Sequence, residues 1–269
     1  MKWSKEAEEA VSKVPFFVRG RVRKRVEEEA CNADSPVATI EHVRSCRRRF
    51  LDNMESEVKG HRVEQCFGPE GCPNRAHVVP GLSEDLEKML ASHHLKDLLK
   101  LRVHGPLKFH HEFRVSVSDC PNACSRPQIA DLGLIGASVP QISSKECSGC
   151  AACVEACLEG AVQLSEAAQS PVLDMNKCVA CGQCIRACPT GSLVERSGGF
   201  RIMLGGKLGR HPRLARELDG IYPRDRALLI VDACVNHFRT HCTTGERFGE
   251  ILDRTGHGFL NGDEQRNEP

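Results

Sequence analysis

Apolar positions in the first sixty residues recur at helical spacing. Val14, Val18, Val22, Val26 and Ala30 stand four apart, so they share one face of a helix. The positions between them are charged: Arg19, Arg21, Arg23, Lys24 and Arg25 form a basic face. Ser4 is a favourable N-cap for a shorter helix before it, which Pro15 stops. Ser35-Pro36 breaks the second helix, and Thr39 to Glu57 reads as a third. A small helical module over residues 1–58 is therefore expected. Its basic face is either a solvated surface or a seat for an anionic partner or cofactor.

From residue 60 the pattern changes. A loop with Cys66 and Cys72 precedes an amphipathic helix near Glu84 to Leu101. Alternation at Phe113 to Val117 predicts a strand that runs into Cys120-Pro121-Asn122-Ala123-Cys124. Ile129 to Gly136 predicts an apolar strand with close-packing glycines. Strand-like residues return at Gly199 to Leu204, helices are predicted near Asp225 to Arg239 and Gly245 to Arg254, and the polar residues 261–269 predict a disordered tail. The fold class is α+β, with one body over residues 59–140 and 198–260 interrupted by an insertion at 141–197.

Composition sharpens this picture. Aromatics make up only 4 % of the chain, with one Trp and one Tyr, so bound groups are expected to help organise the core. Sixteen cysteines in a chain whose start, MKWSKEAEEA, lacks an apolar leader point to metal ligation in a reducing cytoplasm, not to disulfides. No apolar run approaches the roughly 20 residues of a membrane span. The formal charge of +1 understates the acidity of a loaded protein, because each four-thiolate [4Fe-4S] centre carries a net charge of about −2. The 37 Lys and Arg then serve as counter-charges, and no nucleic-acid partner is expected.

The insertion holds the chain's internal repeat. Cys147, Cys150, Cys153 and Cys157 recur 31 residues later as Cys178, Cys181, Cys184 and Cys188. Each run reads Cys-x2-Cys-x2-Cys-x3-Cys, and Pro189 closes the second. Cysteines three apart wrap three corners of a cubane, and in two-cluster ferredoxins the fourth ligand comes from the other run. The expected sets are thus Cys147, Cys150, Cys153 and Cys188 for one [4Fe-4S] cluster, and Cys178, Cys181, Cys184 and Cys157 for the other. Leu158 stands where a proline usually follows the first run. A zinc ribbon is the competing use of paired Cys-x2-Cys.

A second constellation places two cysteines on each of two loops, Cys66-x5-Cys72 and Cys120-x3-Cys124, separated by 47 residues. Four thiolates from two loops can hold a cubane and leave one sulfur facing outward. With Ser118-Asp119 before it and Asp131-Leu132-Gly133-Leu134-Ile135-Gly136 after it, the pattern resembles the sirohaem-binding half of sulfite and nitrite reductases. The segment from Gly245 to Arg254, GERFGEILDR, is similar to the C-terminal signature of their anaerobic and dissimilatory members. A ferredoxin inserted at this place resembles the catalytic subunit of anaerobic sulfite reductases. Residues 3 to 50, with Trp3, Ala7 and Val14 to Arg19, resemble the C-terminal helical domain of the light-independent protochlorophyllide reductase B subunit, which sits by a tetrapyrrole.

These resemblances imply a third [4Fe-4S] cluster on Cys66, Cys72, Cys120 and Cys124, with Cys124 also ligating sirohaem iron. They imply sulfite or nitrite as a small anionic substrate and an external electron donor. Arg114 and Lys108 are the expected catalytic cations, and Arg114, Arg126 and Asn122 the expected cofactor contacts, with Arg102 a weaker cation. His77, His104, His110 and His111 are either proton donors or ordinary packing residues. The family's two lysines before the third cysteine are replaced here by Glu112 and Arg114, and the family's preceding half-domain is replaced by the short helical module. A homodimer or hetero-complex is expected to complete the pocket. The competing readings are an electron-transfer subunit with three cubanes and no sirohaem, and a tetrapyrrole-binding or redox-sensing module. Cys31, Cys46, Cys234 and Cys242 lack cluster spacing and are expected to pack as small apolar residues.

Overall fold

The structure is a computed structural model that describes residues 1–165 and 170–260. The predicted tail, 261–269, lies outside the described residues. The chain divides into two compact units, Met1–Val58 with Val103–His110, and Lys59–Arg102 with His111–Pro269. Among the described residues no helix is long and apolar enough to cross a membrane.

In the first unit β1 (Lys2–Trp3) precedes α1 (Lys5–Ser12), and the Ser4 hydroxyl accepts the Ala7 N–H at 3.3 Å as the expected N-cap. Next come α2 (Phe16–Asn32), β2 (Val37–Ala38), which pairs in parallel with β1, and α3 (Ile40–Glu57), capped by Thr39 and His42. The helices are held by fully buried Val26, Ala30 and Ala38, with Trp3, Val22, Val43 and Cys46 around them. Part of the basic face has local work. The Arg19 guanidinium donates to the Ser12 and Val14 carbonyls at 2.7 and 3.0 Å, closing the end of α1. Arg23 stacks over the Trp3 ring at 4.7 Å.

The second unit begins with β3 (His61–Gln65), a strand the alternation did not reveal. The long helix expected after it is two, α4 (Leu82–Ser92) and α5 (Leu95–Arg102). The break falls at His93 and His94. His94 has φ of 50°, and buried His93 turns its ring to Asp232 at 2.7 Å. The chain continues through β4 (Phe113–Ser118) and β5 (Leu132–Ile142). The insertion contributes α6 (Ala152–Glu155), a hairpin of β6 (Val162–Ser165) and β7 (Ser170–Leu173), and α7 (Gln183–Ala187). β8 (Leu193–Leu204), β9 (Arg216–Glu217), α8 (Arg224–His241) and α9 (Phe248–Thr255) complete the unit.

One five-stranded sheet, ordered β3-β4-β5-β8-β9, carries this unit. β3, β4 and β5 are parallel, whereas β8 runs antiparallel to β5 and β9 antiparallel to β8. β5 is buried from Leu132 to Pro140, which explains its near-continuous apolar run. Phe113 on β4 meets Phe238 of α8 and Phe248 of α9 at ring distances of 5.1 and 5.4 Å, anchoring both closing helices to the sheet. The β5–β8 ladder extends from Leu132–Leu204 to Ile142–Leu193, with a register shift after Val139. The insertion grows from its far end.

Candidate iron–sulfur and cofactor site

The two cysteine loops that carry Cys66, Cys72, Cys120 and Cys124 leave the carboxyl ends of adjacent parallel strands, where α/β sheets commonly place ligands. Cys66 follows β3, and its N–H extends the ladder to the Val117 carbonyl at 3.0 Å. Cys120 follows β4 by two residues. The Cys120–Cys124 loop is shaped by hydroxyls: Ser116 donates to the Ser125 carbonyl at 2.7 Å, Ser125 donates to the Val117 carbonyl at 2.7 Å, and the Ser118 and Ser125 hydroxyls meet at 2.6 Å. Ala123 and Arg126 take φ of 53° and 63°, which turns the chain sharply around Cys124. Gly136 on β5 lies so close to the Asp119 and His77 backbones that a Cβ would collide with both.

The structure brings the four thiols of this constellation together. Burial pushes the Cys120 thiol up, the Asn122 N–H opposes that, and the neighbouring Cys124, Cys66 and Cys72 push it further up. The Cys66 sulfur accepts from the Gly68 and Asp119 N–H groups at 3.4 and 3.3 Å. Cys120 is buried and Cys124 exposed. The Asp119 carboxyl is buried, one of its oxygens has no hydrogen-bond partner, and burial holds it above the ordinary carboxylate range.

Cys66 and Cys124 open onto a cavity of about 320 Å³, which is also lined by Arg62, Glu64, Phe67, Ser125 and Arg126. Arg126 is exposed and has no ion-pair partner among the described residues. Arg114 does not line the cavity. Its guanidinium pairs with Glu64 at 3.0 Å, its N–H donates to Asp131 at 3.0 Å, and Glu64 also holds Arg62 at 3.0 Å. Arg62 faces Arg114 in strand register; the sequence pattern missed it because that register is set by long-range pairing. Asn122 is exposed and offers its backbone N–H to Cys120. Lys108, His104 and His110 belong to the first unit, on the segment Val103–His110. Glu112 is 3 % exposed and accepts the Lys59 N–H at 2.8 Å, so its carboxylate anchors backbone. His77 packs edge-on against Phe200, and burial lowers its pKa against the pull of Glu195.

In the insertion Cys153 lies near Cys147 and Cys188, and Cys184 near Cys157, Cys178 and Cys181. Burial raises the Cys153 thiol, and Cys188 and Cys147 add to it. Burial, then Cys178, Cys181 and Cys157, push Cys184 up to about 11. Cys157, Cys178, Cys181 and Cys184 line one enclosed cavity with Val162 and Leu173. Cys188 goes the other way, to about 6: burial would raise it, but donors from Ser192, Leu193 and Thr190 outweigh that. Cys150 is exposed on the Cys147 loop. Leu158 is 95 % exposed, so the turn stands without a proline. Among the described residues no three His, Cys, Asp or Glu side chains converge as the ligands of a single ion do. Of the four remaining cysteines, Cys234 and Cys242 are buried, Cys46 is partly buried, and Cys31 is exposed instead of packed.

Residues 92–260 match the family described as the nitrite and sulphite reductase 4Fe-4S domain. The chain belongs to this family. Within it, Asp131 is buried and pairs with Arg247 of the closing GERFGEILDR segment, and it also accepts the Phe248 N–H at 3.3 Å. Cys120 and Cys124 fall inside the matched region, whereas Cys66 and Cys72 precede it. Residues 3–47 match the family described as the proto-chlorophyllide reductase 57 kD subunit. The coenzyme F420-dependent sulfite reductase of Methanocaldococcus jannaschii is 32 % identical over 93 residues, covering 35 % of this chain and 14 % of that protein. A subunit of the anaerobic sulfite reductase of Salmonella typhimurium is 29 % identical over 140 residues, covering 46 % of this chain and 36 % of that protein. The chain thus spans about a third or less of the curated relatives it matches. Dissimilatory sulfite reductase I shares the fold, with a TM-score of 0.51 and 16 % identity over 82 % of this chain and 58 % of that one.

Proposed function

We propose that this chain is the sirohaem- and [4Fe-4S]-binding subunit of a sulfite or nitrite reductase, fed by its own two-cluster insertion. The observation that carries the reading is the split exposure of one thiol group: Cys120 is buried, while Cys124 opens with Cys66 onto a cation-bearing cavity. Cys66, Cys72, Cys120 and Cys124 hold the cubane in this reading, and Cys124 also faces the sirohaem iron. A haem iron coupled through a thiolate to a cubane supplies one-electron steps to a substrate that needs six. The chain's own part is to hold charge. Arg126 offers an uncommitted cation to the substrate anion or the cofactor carboxylates. Glu64, on the cavity wall, holds Arg62 and Arg114, and the unpartnered Asp119 carboxyl oxygen is buried one residue before Cys120. Lys108, on the Val103–His110 segment of the first unit, is kept as a proposed second cation for the substrate.

A second reading, an electron-transfer subunit without sirohaem, draws on the same geometry, since Glu64 already neutralises Arg114, one of the two cations expected for substrate. The test is anaerobic purification with an optical spectrum and iron, sulfide and tetrapyrrole quantified per chain. Isobacteriochlorin bands with about thirteen irons support the first reading, since three cubanes and one haem supply that number. About twelve irons and no tetrapyrrole support the second.

A further inference from the structure

We propose that the Cys157, Cys178, Cys181 and Cys184 set is the side of the insertion that delivers electrons to the Cys66, Cys72, Cys120 and Cys124 set, positioned there by Asn74 and Gln183. The Cys147, Cys150, Cys153 and Cys188 set is then the side that receives them. This rests on the reading that all three sets hold cubanes.

The delivering loop is fastened to the body at several points. The Ser138 N–H of β5 donates to the Ala180 carbonyl at 2.7 Å, and Ser138 forms an isolated parallel bridge with Cys181. Ala180 packs against Ala137 and Val139. Gly182, with φ of 68°, lies so near Ser138 that a Cβ would sit 2.9 Å from the serine Cβ. The Gln183 amide, next to Cys184, donates to the Asn74 side chain at 3.2 Å, two residues beyond Cys72. Two positions back along β5, Gly136 presses on the backbone of Asp119, which precedes Cys120 and donates its N–H to the Cys66 sulfur. A short path therefore runs from Cys181 through Ala180, across the hydrogen bond to Ser138, along β5 to Gly136, and by backbone contact to Asp119 and Cys120.

The other set takes no part in these contacts. The donors to its thiols, Gly149, Thr190, Ser192 and Leu193, come from its own insertion. Residues 144–146 and 148–150 are exposed, which leaves this side open to a donor protein. Transfer at the junction makes and breaks no bond. One electron oxidises the reduced centre of the delivering set and reduces the centre of the Cys66 set, after supply from a low-potential one-electron donor.

The test uses the full chain, prepared anaerobically and reduced with dithionite. Wild type should hold about twelve cluster irons, and each of two double variants, Cys147→Ala with Cys150→Ala and Cys178→Ala with Cys181→Ala, about four fewer. Magnetic interaction between the body centre and the insertion, read by EPR, should persist in the first double variant and vanish in the second. The reverse pattern with twelve irons in wild type overturns this assignment alone; fewer than twelve in wild type overturns the three-cubane reading as well. Asn74→Ala and Gln183→Ala remove no ligand. They should keep the iron count, weaken the interaction and slow freeze-quenched reduction of the body centre by about tenfold or more. Unchanged coupling and rate would remove both residues from the junction.

Discussion

Cys120 and Cys124 stand four positions apart on one loop, and their different exposure divides their work. In the proposed reading the buried inner thiol would serve the cluster alone and the exposed outer one would also bridge. Cys124→Ser should abolish tetrapyrrole absorption and sulfite reduction while about eight insertion irons survive; a variant that keeps the red-region bands would refute the bridging role. Glu64→Gln should release Arg62 and Arg114 into the cavity and tighten sulfite binding by several-fold, read as a lower KM. An unchanged KM would mean that neither arginine reaches the substrate. The cysteine spacings were legible in sequence because the reach of a short loop fixes them, and the structure places Cys120 near Cys66, Cys72 and Cys124. The charged residues were not. Glu112 read as a lost cation of the site, but its partner is the backbone N–H of Lys59, 53 residues away. Arg62 gained meaning only from its register opposite Arg114.

At the level of elements, local signals placed most helices, and long-range contacts decided the exceptions. α1 to α3 follow from caps and spacing alone. The break between α4 and α5 was hidden because it depends on His93 reaching Asp232 of α8. β3 was hidden because HRVEQ has only one strongly apolar residue and is held by parallel pairing to β4. Asp131 joins β5 to α9 through Arg247, so Asp131→Asn should lose about 2 kcal/mol, since it strips charge-assisted hydrogen bonds from partly exposed Arg247 and from the Phe248 N–H. Urea unfolding checks this, and a loss below about 1 kcal/mol would show the pair to be dispensable. Glu250 on α9 is held below the usual carboxylate range, chiefly by its hydrogen bond from Lys207 and, against burial, by the Arg247 N–H. A depressed folded pKa gives stability that is present above the unfolded value of about 4.3 and lost as pH falls through the folded value. The melting difference between wild type and Glu250→Gln should therefore be largest near neutrality and close below about pH 4. A difference that stays constant across that range would contradict the pairing.

The whole second unit is one sheet interrupted by a second set of ligand loops. β5 and β8 leave and return as paired neighbours, so the insertion's two ends lie about one strand spacing apart, near 4.8 Å. Replacing residues 144–191 by an Asn-Gly turn should leave the sheet folded, with the far-ultraviolet spectrum of the body intact and only the Cys66 set's iron retained. Collapse of that variant would show that the sheet depends on the insertion. The same topology makes the ladder a socket. Any carrier whose ends are equally close can be exchanged as a cartridge, without rethreading the sheet or touching the cavity beside Cys124.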